Sequence, residues 1–203
     1  MNVMTSIVLA GGKSIRLGRE KALEKIRGQP LIQQVIGRLS SLGNEIIVVT
    51  SQFNTLPALG VKQVTDIYPD KGPLGGIYSG LRAAPCFHCL VVGCDMPLLN
   101  VALLRYIMEL SPGFDVVIPR VDSNVEPLHA VYSKNCLATI EAALKQDRLQ
   151  IQSFFHQVKV RYVEDAELKK FDPEHLSFFN INSESDLKRA QALLEKEKDI
   201  LGM

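Results

Sequence analysis

The apolar run Ser6-Ile7-Val8-Leu9-Ala10 empties directly into Gly11-Gly12-Lys13-Ser14-Ile15-Arg16-Leu17-Gly18-Arg19-Glu20-Lys21, and no other junction constrains this chain as much. A short continuous apolar run closed by glycines reads as a buried strand. Gly11, Gly12 and Gly18 let the backbone turn sharply and approach a ligand closely, because no Cβ intervenes. Exposed backbone N–H groups beside Lys13, Arg16 and Lys21 suit an anionic ligand such as a triphosphate. The plainer alternative is a strand-to-helix connection with solvated charges. The spacing excludes G-x-x-x-x-G-K-[ST] and G-x-G-x-x-G, so neither a P-loop nor a dinucleotide fingerprint is present.

Downstream of this loop, strand-like and helix-like segments alternate. Leu31, Ile32, Val35, Ile36, Leu39 and Leu42 recur at helical spacing, and residues 45–50 form a second apolar run. Residues 61–65 read as a third strand, 75–84 as a helix and 88–93 as a strongly buried strand. Asn100 can cap a helix carrying Val101, Leu104, Ile107 and Met108. Strands over 115–119, 128–132 and 158–163, and a helix over 135–144, succeed one another less regularly. Ser183-Glu184-Ser185-Asp186 resembles a capping box opening a last helix. This order predicts an α/β fold, a mostly parallel sheet with helices on both faces, in one domain spanning residues 1–203.

Composition closes off other classes. A 203-residue chain with 46% hydrophobic and 22% charged residues is ordinary globular material. A net charge of +1 gives no global attraction to nucleic acid or membrane, so anion binding must be local. No apolar stretch approaches the roughly 20 residues that span a bilayer, and Met1 to Ser6 lacks the basic start of a signal peptide. The expectation is a soluble cytoplasmic protein with neither nucleic-acid nor membrane partners. Cys86-Phe87-His88-Cys89 has C-x-x-C spacing, but no second pair exists. The better reading is small thiols buried on a core strand, with Cys136 facing the core from a helix. His129 and His156 read as structural or surface histidines.

In an open parallel sheet, ligands bind beyond the carboxyl ends of the strands. The glycine loop, Asp66, Asp95 and the loop before Leu128 all fall there. Asp95, in Gly93-Cys94-Asp95-Met96-Pro97, suits Mg²⁺, which takes one or two carboxylates and completes its shell with substrate oxygens and water; capping a turn before Pro97 is the alternative. Gly75-Gly76, opening a helix, permits a flat base or ribose to lie against backbone, or simply turns the chain. Asp66 could bond a ligand or close a strand end.

The segment LAGGKSIRLGREK resembles the signature L-A-[GA]-G-x-S-x-R-M-G-x-[DE]-K of nucleotidyltransferases, with Leu17 in place of the usual Met and Glu20 in place of the commoner Asp. The ordered set formed with Asp66, Gly72 to Leu81, Cys94 to Pro97, Glu126 to Tyr132 and Phe179 to Asp186 covers nearly the whole chain. It resembles the molybdenum cofactor guanylyltransferases. The resemblance implies a Rossmann-like nucleotidyltransferase fold of the glycosyltransferase-A type. It implies transfer of GMP from GTP to molybdopterin with Mg²⁺, releasing pyrophosphate. Leu9, Ala10, Gly11, Gly12, Lys21, Asp66, Gly75 and Asp95 would contact GTP, with Asp95 also on Mg²⁺. Lys21, Asp95 and Arg16 would carry the catalysis. Asn180 and Asn182 would lie near the pterin, or cap turns before the last helix. Glu126 stands where Gln is common in the family. Molybdoenzymes or cofactor-insertion proteins would be the further partners. A cytidylyltransferase for the same cofactor is the nearest alternative, disfavoured by LAGG where that branch usually carries LAAG. Another small-molecule nucleotidyltransferase is a further one, and a non-catalytic cofactor-delivery protein is the alternative of a different class.

Overall fold

The apolar runs of the sequence lie side by side in one eight-stranded sheet. The structure is a computed structural model that describes residues 4–10, 21–51 and 56–201. In chain order its elements are β1 (Thr5–Leu9), β2 (Lys25–Ile26), β3 (Gln29–Pro30), α1 (Leu31–Ser40), β4 (Glu45–Thr50) and β5 (Lys62–Thr65). Next come α2 (Gly72–Ala83), β6 (His88–Gly93), α3 (Val101–Glu109), β7 (Val116–Val121), β8 (Asn124–Val125) and β9 (His129–Ser133). The chain continues with α4 (Cys136–Lys145), β10 (Val160–Glu164), α5 (Asp165–Leu168) and α6 (Glu184–Leu201). The sheet order is β10-β7-β9-β6-β1-β4-β5, with β8 paired to β7, while β2 and β3 form a separate hairpin.

Strands β1, β4, β5 and β6 run parallel, as do β7 and β10. Strand β9 is antiparallel to both of its neighbours, β6 and β7. The mostly parallel sheet therefore holds, with β9 inverted near its middle and the two-residue β8 inverted against β7. The inversion of β9 brings its first residue, His129, beside Val92 near the end of β6.

Alternation along β1 feeds two opposite layers, because successive side chains of a strand point to opposite faces. Val8 and Ala10 pack with Ile32 and Val35 of α1 and Leu103 and Leu104 of α3. Ile7 and Leu9 pack with Leu74, Ile77 and Leu81 of α2 and Ile140 of α4. Helix α2 sits so close that a side chain at Gly80 would meet Ile7 Cγ2 at 2.5 Å. A third, smaller cluster joins the β2–β3 hairpin to α6 through Ile26, Leu31, Leu98, Ile181, Ala190 and Leu194.

The helix caps obey local chemistry. Asn100 Oδ1 accepts the Leu103 N–H at 3.0 Å and starts α3. At the start of α6, Ser183 Oγ accepts the Asp186 N–H, while the Asp186 carboxylate accepts the Ser183 hydroxyl and the Asn182 N–H. Helix α2 begins at Gly72, with φ +63°, and not at Gly75, because Pro73 occupies a first-turn position whose N–H needs no partner. The expected strand over 158–163 is observed at Val160–Glu164, after a 3₁₀ segment over Ile151–Gln157.

Candidate active site

The carboxyl ends of β1, β5 and β6 and the inverted start of β9 form one rim. At β1, the Leu9 carbonyl accepts the Cys94 N–H at 3.1 Å and the Ala10 N–H donates to Val49 O at 2.9 Å. Both side chains are buried, and a Cβ at Gly76 would lie 3.2 Å from Leu9 Cδ2. Leu9 is thereby fixed between the sheet and α2. Gly11, Gly12 and Arg16 lie outside the described residues.

Two strand-end carboxylates stand on this rim in different settings. Asp66 comes directly after β5. Its Oδ1 accepts the Tyr68 N–H at 2.9 Å and the Ser79 hydroxyl at 2.7 Å, an Asx-type turn braced by α2. Gly75 is what permits that brace: a Cβ there would sit 2.7 Å from the Tyr68 carbonyl and 3.1 Å from Asp66 Oδ2. The close approach expected of Gly75 is thus taken up by the neighbouring loop.

Asp95 stands two residues beyond β6. Lys21 Nζ donates to Asp95 Oδ2 at 2.6 Å and to Asn182 Oδ1 at 2.7 Å. The Lys21 and Asp95 side chains are only 16% and 18% exposed, so the pair is sheltered from the screening that weakens surface ion pairs. Gly93 makes the arrangement possible, since a Cβ there would meet Asp95 Oδ1 at 2.6 Å. Any side chain at 93 would push the carboxylate off the strand end. The Ile181 N–H donates to the Asp95 carbonyl at 3.0 Å, pinning the approach to α6 on the same loop. Residues distant in sequence converge here: Lys21 lies 74 positions from Asp95 and 161 from Asn182.

The two expected asparagines part company. Asn182 reaches Lys21, whereas Asn180 Nδ2 donates back to Phe178 O at 3.1 Å within its own turn. Asp186, whose carboxylate holds the Asn182 N–H, is kept below the usual carboxylate range, first by the Ser183 hydroxyl and then by that N–H, with Lys21 adding to the effect. On the other flank, Glu126 is half-buried, its carboxyl makes no hydrogen bond among the described residues, and burial alone pushes its pKa up.

His129 is fully buried and burial pushes its pKa down to about 4, in keeping with a structural histidine. His156 is exposed beside Gln157. Cys89, Cys94 and Cys136 are buried, and burial pushes the Cys89 and Cys136 thiols up to about 12, far from the reactive thiolate range. Sequence reasoning missed Gly93 and Ser177 as determinants of the rim. A glycine two residues before a strand-end carboxylate is the signal that could have found the first; Ser177 gave none.

Among the described residues no group of three or more His, Cys, Asp and Glu side chains could hold a metal ion. A hard cation bound mainly through substrate phosphates needs only one or two carboxylates. Asp95 fits that demand, with Oδ1 free of hydrogen bonds among the described residues. No helix among the described residues is long and apolar enough to cross a membrane.

Residues 6–162 match the family described as MobA-like NTP transferase domain. The chain is 38% identical over 194 residues to a probable molybdenum cofactor guanylyltransferase of Pelotomaculum thermopropionicum, covering 96% of this chain and 95% of the relative. It is 34% identical over 199 residues to a molybdenum cofactor guanylyltransferase of Desulfosudis oleivorans, covering 96% and 98%. Among solved structures it resembles molybdopterin-guanine dinucleotide biosynthesis protein A of Archaeoglobus fulgidus, with a TM-score of 0.84, 31% identity and coverage of 95% and 100%.

Proposed function

We propose, from the premise that this chain belongs to the MobA-like NTP transferase family, that it transfers GMP from GTP to molybdopterin and forms molybdopterin guanine dinucleotide. A molybdopterin phosphate oxygen attacks the α-phosphorus of GTP. A new phosphoanhydride bond forms, the bond between the α- and β-phosphates breaks, and pyrophosphate leaves with the electron pair. Both reactants are anions, so the residues that matter are those that offset their repulsion and hold them in line.

The observation that carries this reading is the meeting of Lys21, Asp95 and Asn182 at the strand ends. Lys21 is a sheltered ammonium already aimed by two acceptors, and a triphosphate oxygen can replace either of them. Arg16, which follows β1 in the sequence, would steady the outer phosphates. Leu9, Ala10, Gly11, Gly12, Asp66 and Gly75 would line the nucleoside side, with Asn180 and Asn182 toward the pterin. Mg²⁺ would be held by Asp95, and when bound it would neutralise triphosphate charge. No covalent nucleophile is needed. We place the enzyme in the cytoplasm, handing its product to molybdoenzymes or to proteins that insert the cofactor.

The test is a nucleotide competition with Mg²⁺ and molybdopterin, reading which dinucleotide forms. Guanine dinucleotide is expected to dominate, because a site built to pair with polar base edges rejects an unmatched base by leaving buried groups unpaired. Equal or better incorporation of CTP would overturn the guanine assignment.

A further inference from the structure

Ser177 and His129 are almost wholly buried, at 1% and 0% exposure, and neither belongs to the set of residues proposed to meet substrate. Most buried polar groups in folded proteins find a partner, and the His129 ring finds one through Nε2 while Nδ1 has none among the described residues. Ser177 Oγ accepts the Asn100 N–H at 2.8 Å and lies 2.7 Å from His129 Nε2. The Asp172 carboxylate accepts the N–H groups of Leu176 and Ser177. The Asn100 amide donates to Phe171 O at 2.8 Å, and the His129 ring packs edge-on against Phe178 at 4.6 Å. Residues 171–178 are thereby anchored to the first residue of β9 and to the cap of α3.

The same segment continues into the site. Ile181 bonds the Asp95 carbonyl through its N–H and buries its side chain in the third cluster. Asn182 then presents Oδ1 to Lys21. Asn182 follows the anchored Ser177 closely along the chain, with Ile181 fixed between them.

We infer that His129 and Ser177 are positioning residues for Lys21: their buried contact sets where the strap of residues 171–182 lies on the rim, and the strap sets where Asn182 holds the ammonium. The functional weight of this inference rests on the proposed role of Lys21 at the triphosphate; the geometry does not. A core filler at these positions needs no polar atoms. This hydroxyl–imidazole contact spans 48 residues of sequence and gives the strap one register.

The test is the acylation rate of Lys21 by acetic anhydride, quantified by mass spectrometry against Lys62 in the same molecule, with no nucleotide present. Ser177→Ala is expected to raise the Lys21 to Lys62 ratio by about fivefold, the effect of freeing one hydrogen bond. His129→Gln, whose amide can still meet the Ser177 hydroxyl, should stay close to the parent. In an Asn182→Ala background, Ser177→Ala should add nothing beyond the single change, because both act through one contact. Should Ser177→Ala not fold, His129→Leu is read in the same way. A parent-like ratio in Ser177→Ala or in His129→Leu, or anchor and Asn182→Ala effects that multiply in full, overturns the inference. Because the labelling needs no turnover, a chain that shows the coupling yet makes no dinucleotide would sink the proposed reaction and leave the strap standing.

Discussion

The two acidic corners of the rim are built on opposite plans. Asp66 is satisfied by its own neighbourhood: a turn N–H two residues on and a hydroxyl thirteen residues on, with α2 pressed against it through Gly75. Asp95 has its charge met from 74 residues away, by a lysine that a segment near the C-terminal helix also grips. A carboxylate spent on its own turn mainly holds the loop in shape. One whose partner is an ammonium on a flexible stem can exchange that partner for a ligand. The comparison therefore sets a corner that holds the loop proposed to line the nucleoside against one whose carboxylate is proposed to meet the reacting phosphates, and substitutions at each should fail in different ways.

The largest effect belongs to the Asp95 corner. Asp95→Asn should lower turnover by roughly a hundredfold or more, the scale of losing one well-placed electrostatic group. Metal-free GTP binding should be unweakened, since the Asp95 carboxylate competes with the triphosphate for Lys21. Lys21→Ala should instead weaken GTP binding with or without Mg²⁺. Titrating GTP in both conditions beside dinucleotide formation separates them. Near-normal turnover of Asp95→Asn at ordinary Mg²⁺ would erase the distinction between the corners.

Next in size is the acid response of the anchor beneath that corner. His129 has a folded pKa of about 4 against an ordinary 6.5, so the native state refuses a proton that the unfolded chain accepts. Its contribution is fully present above pH 6.5 and is lost as pH falls from there toward 4. A gap of that size amounts to about 3 kcal/mol. Denaturant melts across this window should show the loss, and His129→Gln should flatten it. An unchanged acid limb in His129→Gln would mean that other groups govern the acid stability.

At the Asp66 corner the expected damage is to stability. Gly75→Ala places a methyl 2.7 Å from a backbone carbonyl, a contact that backbone must yield to relieve. Overpacking of this kind typically costs about 1–3 kcal/mol, which a thermal melt resolves. Asp66→Asn keeps the Oδ1 acceptor for Tyr68 and Ser79 and should be far milder. If Gly75→Ala left the melt unchanged but abolished GTP binding, the Asp66 corner would be chemical after all.

This contrast also explains what could be read from the sequence. The strands at β1, β4 and β6 announced themselves because they are buried on both faces and so carry unbroken apolar runs, Ile7-Val8-Leu9, Ile46-Ile47-Val48-Val49 and Leu90-Val91-Val92. The caps at Asn100 and Ser183 were legible because their bonds close within four residues. The inversion of β9 was not, since an apolar run such as His129-Ala130-Val131-Tyr132 encodes burial and carries no mark of direction. The hairpin β2–β3 has two-residue strands, too short for any period to register. At the site, Lys21, Asp95 and Asn182 could be named one at a time from motifs, but their meeting depends on residues 74 and 161 positions apart. The strap was illegible for the same reason: Ser177 is tied to Asn100 across 77 residues, and no local pattern records such a bond.

The smallest effect should come from Glu126, which tests whether a carboxylate on this rim can be idle. Burial raises its pKa, with no counter-charge or hydrogen bond among the described residues to oppose the shift, so the native state holds this proton more tightly than the unfolded chain does. Its contribution to stability is therefore greatest below the ordinary carboxylate pKa and declines as pH rises through the elevated folded value. Glu126→Gln removes the charge and keeps the shape. Thermal melts should show Glu126→Gln slightly more stable than the parent at neutral pH and indistinguishable from it well below the ordinary carboxylate pKa. A loss of stability at neutral pH would mean that the ionised carboxylate is needed there. Glu126 would then join Asp95 as a second carboxylate with a purpose on the chemical side of the rim.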